Sequence, residues 1–129
     1  MYKVVLADDE PHILNYLKNF ISWEELQLQV VGAASNGKEA FDIALSQKAN
    51  ILITDIRMPE MDGLQLCEQL KELLPEIQII IISAYSDFSY AQQAIKLHAL
   101  GYCLKPLVAE DLSQLLHIAV RSFHKTKPL

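Results

Sequence analysis

The sequence predicts an α/β domain: a parallel β-sheet with helices packed on both faces. Three observations carry this expectation. Short apolar runs and amphipathic stretches alternate five times along the chain. The runs are near-continuously apolar, as strands covered on both faces must be. Acids, a hydroxyl or a lysine stand at the ends of four of these runs, where an open α/β sheet binds its ligands.

The first unit begins with residues 4–7, a β-branched and apolar run that ends in Asp8-Asp9. Pro11 suits the first turn of a helix, where its missing N–H costs nothing, and Ile13, Leu14, Leu17, Phe20 and Ile21 follow at helical spacing. Ser22 is expected to cap a turn that Trp23 packs. Residues 28–34 read as a second strand, Asn36-Gly37 as a turn, and Ala40, Phe41, Ile43, Ala44 and Leu45 as one helix face, with Ala49-Asn50 as the exit. Ile51-Leu52-Ile53 is a buried-type run ending at Thr54-Asp55. Pro59 and Gly63 punctuate the loop after it, and a helix with Leu64, Leu66, Cys67, Leu70, Leu73 and Leu74 is closed by Pro75. Residues 77–82 are the most apolar stretch, hence a central or near-central strand, with Ser83 at its carboxyl end. Phe88, Ala91, Ala94, Ile95 and Leu97 mark a fourth helix. Gly101-Tyr102-Cys103-Leu104 is a fifth short strand, and Leu112, Leu115, Leu116, Ala119 and Val120 follow Lys105-Pro106 as a fifth helix.

Composition narrows the function classes. With 129 residues, 51% of them apolar, the chain can fill one core without a disulfide or structural metal. No apolar run approaches the roughly 20 residues that span a bilayer, so no membrane partner is expected. The N-terminus lacks the shape of a signal peptide, and a cytoplasmic address is the expectation. A formal charge of −5 argues against nucleic acid as the partner of this segment, since phosphate binding wants clustered Lys and Arg. Only residues 121–127 look basic. Residues 1–121 are expected to form the domain, and 122–129 the start of a linker or a C-terminal tail. Cys67 and Cys103 lack neighbours at metal or redox spacing and read as buried free thiols. His12, His98, His117 and His124 are scattered, without the spacing of a metal site.

If the sheet is parallel, Asp8-Asp9, Asp55, Ser83 and Lys105 converge on one edge of it. Three carboxylates held together raise one another's pKa, so a cation is required. Mg²⁺, which takes one or two carboxylates plus water, meets the need. Asp9 and Asp55 are expected as direct ligands, and Asp8 as a ligand directly or through water. Glu10 is read differently, as an anion placed on the N-terminal dipole of the helix that follows.

These residues resemble a known family. Asp8-Asp9, Asp55 within Ile53-Thr54-Asp55-Ile56-Arg57-Met58-Pro59-Glu60-Met61-Asp62-Gly63, Ser83-Ala84 and Lys105-Pro106 together look like a response-regulator receiver domain, nearly end to end. The resemblance implies a flavodoxin-like, doubly wound (βα)5 fold with strand order 2-1-3-4-5. It also implies that Asp55 accepts a phosphoryl group from a sensor histidine kinase or a small acyl phosphate, with Mg²⁺ held partly by the backbone carbonyl of Arg57. Lys105 would hold the phosphoryl oxygens, with a cis peptide at Pro106. Ser83 and Tyr102 would form a switch pair; many receivers have Thr where this chain has Ser83. Arg57 and Tyr85 would border the phosphoryl group.

The stretches Ile21-Ser22-Trp23-Glu24-Glu25-Leu26 and Ser83-Ala84-Tyr85-Ser86-Asp87-Phe88-Ser89-Tyr90-Ala91-Gln92 resemble receivers that precede an AraC-type helix-turn-helix domain. That implies output through the face made by the fourth helix, fifth strand and fifth helix, by homodimerisation, with DNA contacted only by a further C-terminal domain. The chain would then be a signalling module and no enzyme in the ordinary sense. An aspartate-nucleophile hydrolase normally carries a second Asp two residues beyond the nucleophile, and here Arg57 stands there. A pseudo-receiver would have lost an acid or the lysine, and all are present.

Overall fold

The computed structural model describes residues 1–84 and 88–126, over which strands and helices alternate as β1 (Tyr2–Ala7), α1 (Pro11–Phe20), β2 (Leu28–Ala34), α2 (Gly37–Gln47), β3 (Ile51–Asp55), α3 (Gly63–Leu73), β4 (Gln78–Ser83), α4 (Phe88–Lys96), β5 (Gly101–Leu104) and α5 (Ala109–Thr126). All strand pairs are parallel and the order is β2-β1-β3-β4-β5, which is the expected α/β architecture.

Helix starts follow local chemistry. Pro11 opens α1. Asn36 caps α2, its side chain accepting from the Glu39 N–H at 2.8 Å. Asp62 and Gln65 cap α3 reciprocally, each side chain accepting from the other's backbone N–H. At the turn after α1, the Trp23 indole donates to the Leu17 carbonyl, fastening the end of that helix.

Side chains alternate along each strand and so divide the core between the two faces of the sheet. Val4, Leu6, Ile51, Ile53, Ile80 and Ile82 pack with Ile13 and Leu17 of α1 and with Leu112, Leu116 and Ala119 of α5. Val5, Ala7, Leu52, Ile79 and Ile81 pack with α2, α3 and α4 through Ala40, Ala44, Leu66, Cys67, Leu70 and Ala94.

Two expectations need amendment. The helix expected to end near Arg121 continues to Thr126, and Phe123 is buried with its ring 4.7 Å from that of Tyr2, so packing extends past position 121. Cys67 is buried as expected, but Cys103 is only half-buried because β5 is an edge strand. Among the described residues, no helix is long and apolar enough to cross a membrane.

Candidate functional site

Asp8 leaves the end of β1 with its N–H donated to the Ala34 carbonyl at the end of β2, which ties the two strand ends together. Its carboxylate is wholly buried, and Oδ1 accepts from the Glu10 N–H at 2.9 Å. Asp55 is the last residue of β3, paired with Ile82 of β4. Its Oδ1 accepts from the N–H of Ile56 at 2.7 Å, leaving Oδ2 to face the end of β5. There the Lys105 N–H donates to the Ser83 carbonyl at 2.8 Å, and the Lys105–Pro106 peptide is cis, as the resemblance implied. Gly63 closes the loop over Asp55: a Cβ at this position would lie 1.9 Å from the Asp55 carbonyl oxygen, so no other residue fits.

The Lys105 ammonium is the hub. It lies 2.8 Å from Asp8 Oδ2, 3.1 Å from Asp55 Oδ2 and 3.1 Å from Glu10 Oε1. Burial disfavours its charge, but the contacts with Asp8, Asp55 and Glu10 outweigh burial and hold its pKa above the ordinary lysine range. Asp8 is pushed the other way from a normal carboxyl. Burial raises its pKa, with a smaller push from the Asp55 charge, and the Lys105 contact and the Glu10 N–H offset this only partly.

Carboxylate oxygens of Asp8, Asp9, Glu10 and Asp55 all lie within 4.8 Å of one another. One lysine cannot balance four such acids. Asp8 Oδ2 makes its ion pair with Lys105 but receives no hydrogen bond among the described residues, so it keeps acceptor capacity for a cation. An all-oxygen, strongly anionic donor set of this kind suits a small hard divalent ion such as Mg²⁺.

Glu10 departs from the expectation. It stands at the N-cap of α1, yet its side chain makes no capping hydrogen bond; the carboxylate turns into the cluster instead and accepts from Lys105. Its other oxygen lies 3.3 Å from Nε2 of the exposed His12. Thr54, by sequence only a strand end with no role assigned, is wholly buried in the fold, and its hydroxyl donates to the Asp55 carbonyl at 2.9 Å.

Ser83 ends β4 and is wholly buried. By strand alternation it shares a sheet face with Ile81 and with Tyr102, which is partly buried against the side of the core covered by α2, α3 and α4. Arg57 lies in the loop after β3 with an exposed side chain, and Tyr85 lies outside the described residues. Beside the cluster a groove of about 540 Å³ opens between α1 and the end of β5, lined by Glu10, Ile13, Tyr16, Ala84, Lys105 and Leu107 among others.

Residues 4–117 match the response regulator receiver domain family. YesN, a transcriptional regulatory protein of Bacillus subtilis, is 42% identical over 106 residues, covering 82% of this chain and 29% of YesN. HptR, a transcriptional regulatory protein of Staphylococcus aureus, is 36% identical over 122 residues, covering 95% of this chain and 48% of HptR. The receiver (REC) domain of AraT, a response regulator from Geobacillus stearothermophilus, superposes with a TM-score of 0.91 at 37% identity, with 96% of each chain covered. The chain thus spans from under a third to about half the length of these curated relatives.

Proposed function

Since the chain belongs to the response regulator receiver domain family, we propose that Asp55 is its phosphoacceptor, in a Mg²⁺-dependent transfer from a sensor histidine kinase. One observation carries the assignment to Asp55: of the two strand-end carboxylates that set one oxygen on a backbone N–H and the other against the Lys105 ammonium, Asp8 is wholly buried, whereas Asp55 closes β3 with its side chain 7% exposed and Oδ2 3.1 Å from the ammonium.

In the reaction, an oxygen of Asp55 attacks phosphorus as the bond to the donor's imidazole nitrogen breaks; the imidazole leaves and an aspartyl phosphate remains. Asp8, Asp9, Asp55 and the Arg57 backbone carbonyl would hold Mg²⁺. A bound divalent ion supplies neutralisation of the charge spread over the phosphoryl oxygens. Lys105, already placed against Asp55 Oδ2, moves its charge onto a phosphoryl oxygen once Asp55 is esterified. The groove along α1 gives the donor a path to this edge.

Esterification replaces a carboxylate by a dianionic group, and Ser83, at the neighbouring strand end, is the hydroxyl placed to answer it. Tyr102, on the same sheet face, follows as the second member of the switch. The exposed apolar side chains Ile95, Leu104, Val108 and Ile118 belong to α4, β5, α5 and the loop between the last two, the face proposed for homodimerisation. Relatives two to three times as long fit the reading that a C-terminal, AraC-type DNA-binding domain carries the output. A cytoplasmic module with no membrane contact completes the proposal, its core reaching Phe123 of α5 and the linker starting only after that helix.

Intact mass after incubation with acetyl phosphate tests the proposal. A gain of one phosphoryl group that requires both Mg²⁺ and Asp55 is expected. A gain that survives in Asp55→Ala refutes the assignment, and no gain in a folded, Mg²⁺-binding protein refutes phosphoacceptance.

A further inference from the structure

Thr54 occupies the penultimate position of β3, between Ala7 of β1 and Ile81 of β4, on the sheet face that carries Leu52. Both of its cross-strand partners are apolar, and a buried hydroxyl is costly unless bonded. Valine would satisfy the strand equally well. The hydroxyl instead donates to the carbonyl of Asp55, with Met58 Sδ 4.0 Å away.

That carbonyl belongs to the peptide group joining Asp55 to Ile56. The N–H of the same planar group is the donor that holds Asp55 Oδ1 at 2.7 Å. Fixing one end of a rigid peptide fixes the other. Thr54 therefore acts on the carboxylate through one peptide plane, and it does so from the opposite side of the sheet to Lys105. The two carboxylate oxygens become unlike: Oδ1 is retained by backbone, and Oδ2 is turned to the ammonium.

We infer that Thr54 is a positioning residue for phosphoryl acceptance, its hydroxyl locking the Asp55–Ile56 peptide so that one defined oxygen of Asp55 meets the incoming phosphorus. The inference rests on the phosphoacceptor reading of Asp55. Near-attack geometry is sensitive to small displacements, so loss of the lock lowers the rate at saturating donor rather than donor binding.

The test compares the full chain with Thr54→Val, Thr54→Ser and Asp55→Ala. Two readouts are needed: the Ile56 amide proton in ¹H–¹⁵N spectra, and the rate of mass gain across a series of acetyl phosphate concentrations with Mg²⁺. For Thr54→Val the amide proton is expected to move upfield toward its position in Asp55→Ala. Its saturated rate falls ~tenfold, while the half-saturating donor concentration changes less than ~twofold. Thr54→Ser restores both. An unchanged Thr54→Val overturns the inference alone, as does a slow Thr54→Val that Thr54→Ser fails to rescue, which marks a packing role. A folded wild type that takes no phosphoryl group overturns the reading of Asp55, and the inference with it.

Discussion

Replacing Lys105 by Met removes the one ammonium set among Asp8, Asp55 and Glu10 while keeping most of the side-chain volume. The ion pairs are short, at 2.8, 3.1 and 3.1 Å, and the lysine side chain is only 9% exposed against 0% for Asp8. Breaking a buried pair from one side costs about 3–5 kcal/mol because the partner's charge stays behind. Glu10 is 44% exposed and the cluster borders an open groove, so the lower end of that range applies. For a domain of this size ~3 kcal/mol lowers the melting temperature by about 10 °C. Urea unfolding at pH 7 in EDTA measures the loss. The sign with pH follows from the raised Lys105 pKa: its stabilisation is fully present below the ordinary lysine pKa and disappears as pH rises through the folded value, where wild type and variant converge. Mg²⁺ adds a second axis. The ammonium and the ion compete for the same oxygens, so the variant binds Mg²⁺ at least ~tenfold more tightly, and millimolar Mg²⁺ closes most of the stability gap. A gap under ~1 kcal/mol in EDTA, against the 3–5 expected for a broken buried pair, refutes the reasoning. Equal stabilisation of both proteins by Mg²⁺ refutes it as well.

Two further expectations concern neighbouring positions. Gly63→Ala places a methyl 1.9 Å from the Asp55 carbonyl oxygen, so the β3–α3 loop must shift; thermal unfolding is expected to drop and phosphoryl incorporation to slow together, and normal values for both would show that the loop yields freely. Thiol alkylation near pH 8 is expected to label Cys103 well before Cys67, because burial pushes the Cys67 thiol to about 12 while Cys103 is half-buried with a smaller rise from the same cause; peptide mapping that finds Cys67 labelled first would contradict the packing of α3.

Much of this architecture was legible because each strand is a short apolar run ended by chemistry. The residues of β2 and β5 were readable to their ends, and Asp55, Ser83 and Lys105 were placed on one edge by the parallel pattern alone. Glu10 was misread for a physical reason. A carboxylate just before Pro11 has two good destinations, the helix dipole and the cluster, and the group that decides, Lys105, lies 95 residues further on. The length of α5 was underread because its apolar face was followed only to Val120, although Phe123 continues the helical spacing of Leu116 and Ala119. Cys103 depended on knowing that β5 is an edge, which strand order settles and local sequence does not.

Thr54 shows a different kind of blindness. Its hydroxyl bonds to the very next residue, so nothing long-range hid it; threonine simply suits a strand without any polar partner. Only burial between Ala7 and Ile81 makes the hydroxyl conspicuous, since an apolar setting demands a use for it. The consequence is a division of labour across the sheet. Lys105, Asp8 and Glu10 hold the charge of Asp55 on the side of α1 and α5, whereas Thr54, Ser83 and Tyr102 lie on the other side, where α2, α3 and α4 pack. A charge added to Asp55 is thus neutralised on one face and, under the proposed switch, read out on the other. Variants should divide accordingly: Lys105→Met acts first on stability and cation binding, and Ser83→Ala on the conformational response to esterification. Both substitutions lie within a few ångströms of the same strand ends, so a failure to separate in this way would show that the sheet does not partition the two roles.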